Sequence, residues 1–128
     1  MEITQRDTTA VYTTRDGSLI RELMHPDATS ARNQSLAEAT VLPGQTTLEH
    51  YHVRSEELYH IVSGNGVMML DGEQQSVGPG ATVLIAPGQR HAITNDGAEP
   101  LVLLCCCAPP YSHEDTFLVE ADAPVPAA

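Results

Sequence analysis

Short apolar runs alternate with turn signals along most of this chain, and their spacing predicts strands. The runs fall at residues 9–13, 18–24, 35–42, 48–53, 57–62, 67–70, 75–77, 82–85, 91–94 and 101–107. Between them stand Asp16-Gly17, Pro43-Gly44, Ser63-Gly64-Asn65-Gly66, Asp71-Gly72, Gly78-Pro79-Gly80 and Asn95-Asp96-Gly97, each a turn by composition. Asp71-Gly72 is a tight hairpin signal. No amphipathic helical stretch of convincing length interrupts the series, and no internal repeat points to a propeller or solenoid. The pattern predicts an all-β sandwich or barrel.

Organisation follows from the same pattern. Residues 1–34 read as two strands and a loop that join a barrel core at 35–108. Pro109-Pro110 opens an arm over 109–119 that is expected to leave the barrel. The tail at 120–128 lacks apolar bulk and is expected to be disordered.

Composition narrows the function. The 128 residues suit one domain with a self-sufficient core. A net charge of −11 argues against nucleic acid and anionic membrane surfaces as partners. All six cationic side chains are arginines, so lysine Schiff-base chemistry is excluded. The three cysteines are consecutive, Cys105 to Cys107, with no distant partner for a disulfide. They end an apolar run and are expected to continue a buried strand rather than to react. Reduced thiols, an N-terminus without an apolar leader and the lack of a long apolar run fit a cytoplasmic protein.

One constellation carries chemistry. His50 and His52 lie two apart, so a strand points both to one face. Glu57 follows after a short turn, and His91 opens a later strand behind Ala86-Pro87-Gly88. Three imidazoles and a carboxylate suit one divalent transition metal, and the set does not choose among Fe, Mn, Ni, Co and Zn. His60 sits three residues after Glu57 and falls on the opposite face by alternation. Tyr59 shares the Glu57 face as a weak candidate base or pocket-lining group. Arg90 and Arg54 could reach an anionic ligand at a barrel mouth, although a solvated turn arginine is the plainer reading of each. Met68 and Met69 read as core filling, with one facing the pocket. His113-Glu114-Asp115 looks like an acidic metal cluster, but its place after the barrel favours a docking role.

These residues resemble a known family. Gly44, His50, His52, Glu57 and Gly64 reproduce the spacing of the first cupin motif. Gly80, Gly88, His91 and Asn95 match the second, except that the motif's proline position is Ala86 and Pro87 follows it. The resemblance covers residues 35–108. It implies a double-stranded β-helix, or jelly roll, with His50, His52, Glu57 and His91 as ligands of an internal metal, and commonly a homodimer. It leaves the reaction open. Dioxygenase-type oxidation is slightly favoured over Lewis-acid isomerase, lyase or epimerase chemistry, because no separate base is evident for the latter. A non-catalytic module binding a small ligand or sugar is the alternative.

Overall fold

The computed structural model describes residues 1–14, 16–119 and 123–124. Twelve strands form: β1 Val11–Thr13, β2 Leu19–Met24, β3 Ser35–Val41, β4 His50–His52, β5 Glu56–Ser63, β6 Gly66–Leu70, β7 Glu73–Val77, β8 Thr82–Ile85, β9 His91–Thr94, β10 Leu101–Ala108, β11 Thr116–Leu118 and β12 Ala123–Pro124. They make two six-stranded antiparallel sheets, ordered β1-β2-β3-β10-β5-β8 and β12-β11-β4-β9-β6-β7. The architecture is the all-β jelly roll expected. Among the described residues no helix is long and apolar enough to cross a membrane.

Alternation decides what each strand buries. In β3 every second residue points in, ending at Ser35 and Val41. In β5 the inward row is Glu57, Tyr59 and Ile61, and in β10 it includes Leu101, Leu103 and Cys107. The registers lay these rows side by side: Cys107 opposes both Ser35 and Glu57, and Leu103 opposes both Ala39 and Ile61. The barrel interior is therefore graded. Val41, Ile61, Leu101 and Leu103 pack one end with Met68, Ile85 and Ile93. Ser35, Glu57 and Cys107 face the other. Burial of the apolar end holds the two sheets together, while the polar end is free to carry chemistry.

Two motif residues serve this frame. Gly64 has φ +84°, and a Cβ there would stand 2.5 Å from the Pro100 carbonyl, so the β5–β6 turn admits only glycine. Asn95 is fully buried; its amide donates to the carbonyls of Val41 and Glu99, each at 2.8 Å, and its oxygen accepts from Gly97 N at 2.9 Å. It staples the turn after β9 to the end of β3.

The structure departs from the sequence reading in three places. The strand at 48–53 shrinks to β4, because Thr47 and Leu48 spend their N–H groups on Ile93 and Asp16 carbonyls. The arm after Pro110 does not leave the barrel. It turns at Ser112 and returns as β11, which pairs with β4. Of the tail expected to be disordered, Ala123–Pro124 pair with Phe117 and Leu118; its other residues lie outside those described.

Candidate metal centre

The short strand β4 is held between β9 and β11, and this sets the site. His50 stands directly opposite His91 on β9, while Thr116 and Leu118 of β11 stand opposite His52 and His50. β4 enters from one sheet and Glu57, first inward residue of β5, from the other. All four side chains are buried. The imidazoles of His50, His52 and His91 bring ligand atoms within 4.8 Å of one another. Glu57 Oε1 lies 3.3 Å from His52 Nε2 and 3.4 Å from His91 Nε2.

Hydrogen bonds aim the rings. His50 Nδ1 is 2.9 Å from the Leu48 carbonyl, and His91 Nδ1 is 2.9 Å from the Gln89 carbonyl. A carbonyl can only accept, so both rings carry their proton on Nδ1 and present Nε2 as a lone pair. His52 Nδ1 is 3.0 Å from Thr116 Oγ1. That hydroxyl already donates to the Ser112 carbonyl at 2.8 Å, so it accepts from His52 and assigns the same tautomer. Three Nε2 lone pairs converge.

The converging atoms fit a cation. His91 Nε2 and Glu57 Oε1 are buried and have no hydrogen-bond partner. At 3.4 Å they face each other as two acceptors, an arrangement that needs a positive charge between them. The other carboxylate oxygen, Oε2, accepts from the Cys107 thiol at 3.3 Å. Burial, followed by the Glu57 charge, pushes that thiol far up, so it stays a donor.

The electrostatics agree. Burial drives the His50 pKa down to about 4, helped by the neighbouring His91 and His52. Burial also opposes charge on His52, but the adjoining Glu57 carboxylate and the charge of Asp115 outweigh it and hold His52 above its ordinary value. Desolvation opposes charge on Glu57, yet its contacts with His52 and His91 hold the carboxylate well below the usual range. A metal ion bound among these atoms would supply the positive charge that the facing acceptors need.

Some of the residues singled out above line the pocket and others lie outside it. His60 lies on the outer face with Nδ1 2.8 Å from Thr82 Oγ1. Tyr59 lines the pocket over the centre and meets His91 edge-on, with ring centroids 5.7 Å apart. Burial raises its phenol well above 10, so it is a proton donor and not a base at neutral pH. Arg90 is not among the pocket-lining residues; its guanidinium sits 5.6 Å over the Tyr51 ring. Arg54 is an exposed turn residue 3.7 Å from Asp115. Met68 belongs to the core, and neither methionine lines the pocket. The cysteines continue strand β10 as expected; Cys105 and Cys107 also line the pocket, and Cys107 bonds Glu57. Strand parity held that signal, since residues 105 and 107 share one face.

Thr116 and Asp115 carried no such signal. Asp115 does not join the centre. Its buried carboxylate accepts from the N–H groups of Val53, Arg54 and Ser55 at 2.9–3.1 Å, clamping the turn that joins His52 to Glu57. Thr116→Val is expected to lower metal affinity about 10- to 100-fold, because the His52 ring loses the acceptor that orients it. Titration calorimetry with zinc reads this; an unchanged affinity would show that packing alone orients the ring.

The comparisons with known proteins follow this geometry. The family model described as the cupin domain matches residues 37–107. An uncharacterized protein of Methanocaldococcus jannaschii is 50% identical over 117 residues, covering 91% of this chain and 94% of that protein. The tetracenomycin polyketide synthase protein TcmJ of Streptomyces glaucescens is 28% identical over 88% of this chain and 78% of its own length. Among solved structures, Pac13, described as a nucleoside dehydratase, superposes with a TM-score of 0.76 at 19% identity over 93% of this chain and 91% of that one. At that identity the likeness speaks for the fold.

Proposed function

We propose that this chain, which belongs to the cupin domain family, is a metal-dependent enzyme that rearranges a neutral, oxygen-bearing small molecule by proton transfer. His50, His52, Glu57 and His91 would hold one divalent transition metal. The observation that carries this reading is the convergence of three Nε2 lone pairs on a buried carboxylate oxygen, two of these atoms lacking any partner. When bound, the metal supplies a Lewis acid that polarises a carbonyl or hydroxyl oxygen.

The residues of the chain do the rest. Thr116 and the Leu48 and Gln89 carbonyls aim the imidazoles. Cys107 holds the outer oxygen of Glu57. Ala39, Val41, Ile93 and Leu103 give the pocket apolar walls that limit water. Tyr12 and Tyr111, pushed up by burial, offer phenol donors to a ligand oxygen.

Two observations support proton transfer over oxidation. The pocket contains carboxyl groups outside the centre, Asp16 and Glu22, so a proton acceptor is at hand. Two thiols also face the pocket, and reactive oxygen species formed there would oxidise them.

Metal analysis of protein purified without chelators, followed by turnover under argon, tests this. Uridine and hydroxylated aromatic polyketides are natural first ligands, given the structures with uridine and the polyketide relatives. Turnover without oxygen is the expected result. Strict dependence on oxygen uptake would restore the oxidative reading, and tight binding with no turnover would favour a binding module. A homodimer is supported by Leu58, Val62 and Leu84, which are exposed on the outer face of β5 and β8; a clean monomer by light scattering would reject it.

A further inference from the structure

We propose that Glu22 is the residue that takes a proton from the bound molecule and returns it, and that the pocket selects neutral ligands over anionic ones. This inference rests on the metal-centre reading above and adds to it a proton carrier and a ligand class.

The carboxyl comes from β2, outside the residues matched by the family model, and lines the same pocket as His50, His52 and Glu57. It is half-buried and makes no hydrogen bond among the described residues. The nearest cationic candidate is His25, whose Nε2 is 3.9 Å away. That imidazole is otherwise engaged. Its Nδ1 lies 3.1 Å from Asp27 N, and its Nε2 donates to the Tyr111 carbonyl at 2.8 Å. Glu22 is thus a desolvated carboxyl without a fixed partner, lining the same pocket as Glu57, whose Oε1 is a buried polar atom without a hydrogen-bond partner.

The groups around it are Tyr12 on β1, His25 and Asp27 in the following loop, Cys105 on β10 and Tyr111 on the returning arm. Burial raises its pKa first, Asp27 adds to the rise and His25 opposes it. A raised carboxyl is a better base and remains an effective acid, the property a proton carrier needs. Ligand class follows from sign. The described lining residues include the carboxylates Asp16, Glu22 and Glu57 and no arginine, and the chain has no lysine. A divalent metal with Glu57 would keep one net positive charge, which the Asp16 and Glu22 carboxylates outweigh; hydroxyl groups can donate to these two, whereas a phosphate or carboxylate ligand would be repelled.

For an α-hydroxyketone the step balances without an oxidant. The C–H bond beside the carbonyl breaks, its proton passes to a Glu22 oxygen, and the bonding pair forms the enolate. Return of the proton to carbon, or delivery of a solvent deuteron, restores a neutral carbonyl compound.

The test uses zinc-loaded full chain in D2O, with dihydroxyacetone as neutral probe and pyruvate as anionic probe, read by proton NMR. We expect wild type to exchange dihydroxyacetone at least tenfold faster than pyruvate. E22Q should keep zinc affinity and melting temperature and lose exchange by about 10²- to 10⁴-fold. Carbon-13 NMR of glutamate-labelled protein, assigned through E22Q, should show Glu22 titrating above the ordinary glutamate range. Exchange in E22Q within threefold of wild type, no exchange of either probe by zinc-loaded wild type, or ordinary titration of Glu22 would each overturn the proton role. Preference for pyruvate would overturn the ligand class. A chain that takes up no zinc while Glu22 titrates high would sink the metal centre alone.

Discussion

Glu57→Gln will abolish tight metal binding while costing the metal-free protein little of its stability. Both halves follow from the geometry. The carboxylate is buried, and Oε1 faces two imidazole nitrogens at 3.3 and 3.4 Å. Glutamine keeps the shape and removes the charge, so a metal loses its anionic ligand; a loss of roughly a hundredfold or more in affinity is expected. The metal-free protein loses little. Removing one partner of a buried pair is costly when it strands a charge. Here His52 is held above its ordinary pKa chiefly by Glu57. Without that carboxylate the support for a charged His52 goes as well, so the variant does not strand a buried charge.

Calorimetry with zinc and thermal melts with and without metal check this. Wild type should gain about 4 kcal/mol at a metal concentration a thousand times Kd, and the variant should gain far less. Equal metal-induced shifts would remove Glu57 from the ligand set. The pH dependence has a definite sign. The native carboxylate is depressed below its unfolded value, so its stabilisation is present above the unfolded pKa and is lost as pH falls through the folded one. The glutamine variant should therefore lose less stability in acid.

Asp115→Ala should be among the most destabilising single changes outside the core, at about 3 kcal/mol. The carboxylate is only 4% exposed and answers three consecutive backbone N–H groups, those of Val53, Arg54 and Ser55. Alanine leaves these donors without their acceptor, at about 1–3 kcal/mol for each that water cannot reach. Asp115→Asn retains an acceptor oxygen and should cost roughly half as much. Burial opposes the Asp115 charge, but the backbone bonds outweigh it and lower its pKa. Its contribution is therefore fully present above the ordinary aspartate pKa and fades as the native group is protonated in acid. Urea unfolding at pH 7 and in mild acid measures both effects. A variant within about 0.5 kcal/mol of wild type would show the turn to be held elsewhere. Because the clamped turn separates His52 from Glu57, zinc affinity should fall along with stability.

These two predictions divide differently between sequence and structure. Glu57 was legible from the chain because strand alternation and the spacing from His50 and His52 are local properties. The same parity put His60 outside and Cys105 beside Cys107. Asp115 was visible only as part of the His113-Glu114-Asp115 segment, since its partners lie about sixty residues upstream. Reading 109–119 as a departing arm hid both Asp115 and Thr116, for nothing in Pro109-Pro110-Tyr111-Ser112 announces the turn back to β4. Tyr59 and Arg90 show the same divide. Alternation aimed Tyr59 at the pocket, whereas Arg90 took its place over Tyr51 from a contact between strands.

By itself the sequence determined the all-β class and most of the strand series and pointed to the four residues that converge, because side-chain alternation and turn chemistry act over a few residues. Only the tertiary structure decided how those four are oriented and what stands above them. The acceptor for His52, the clamp on its turn, the thiol on Glu57 and the Glu22 carboxyl at the pocket wall all come from strands distant in the chain. Their positions are set by which strands pair, and that is a property of the packed barrel.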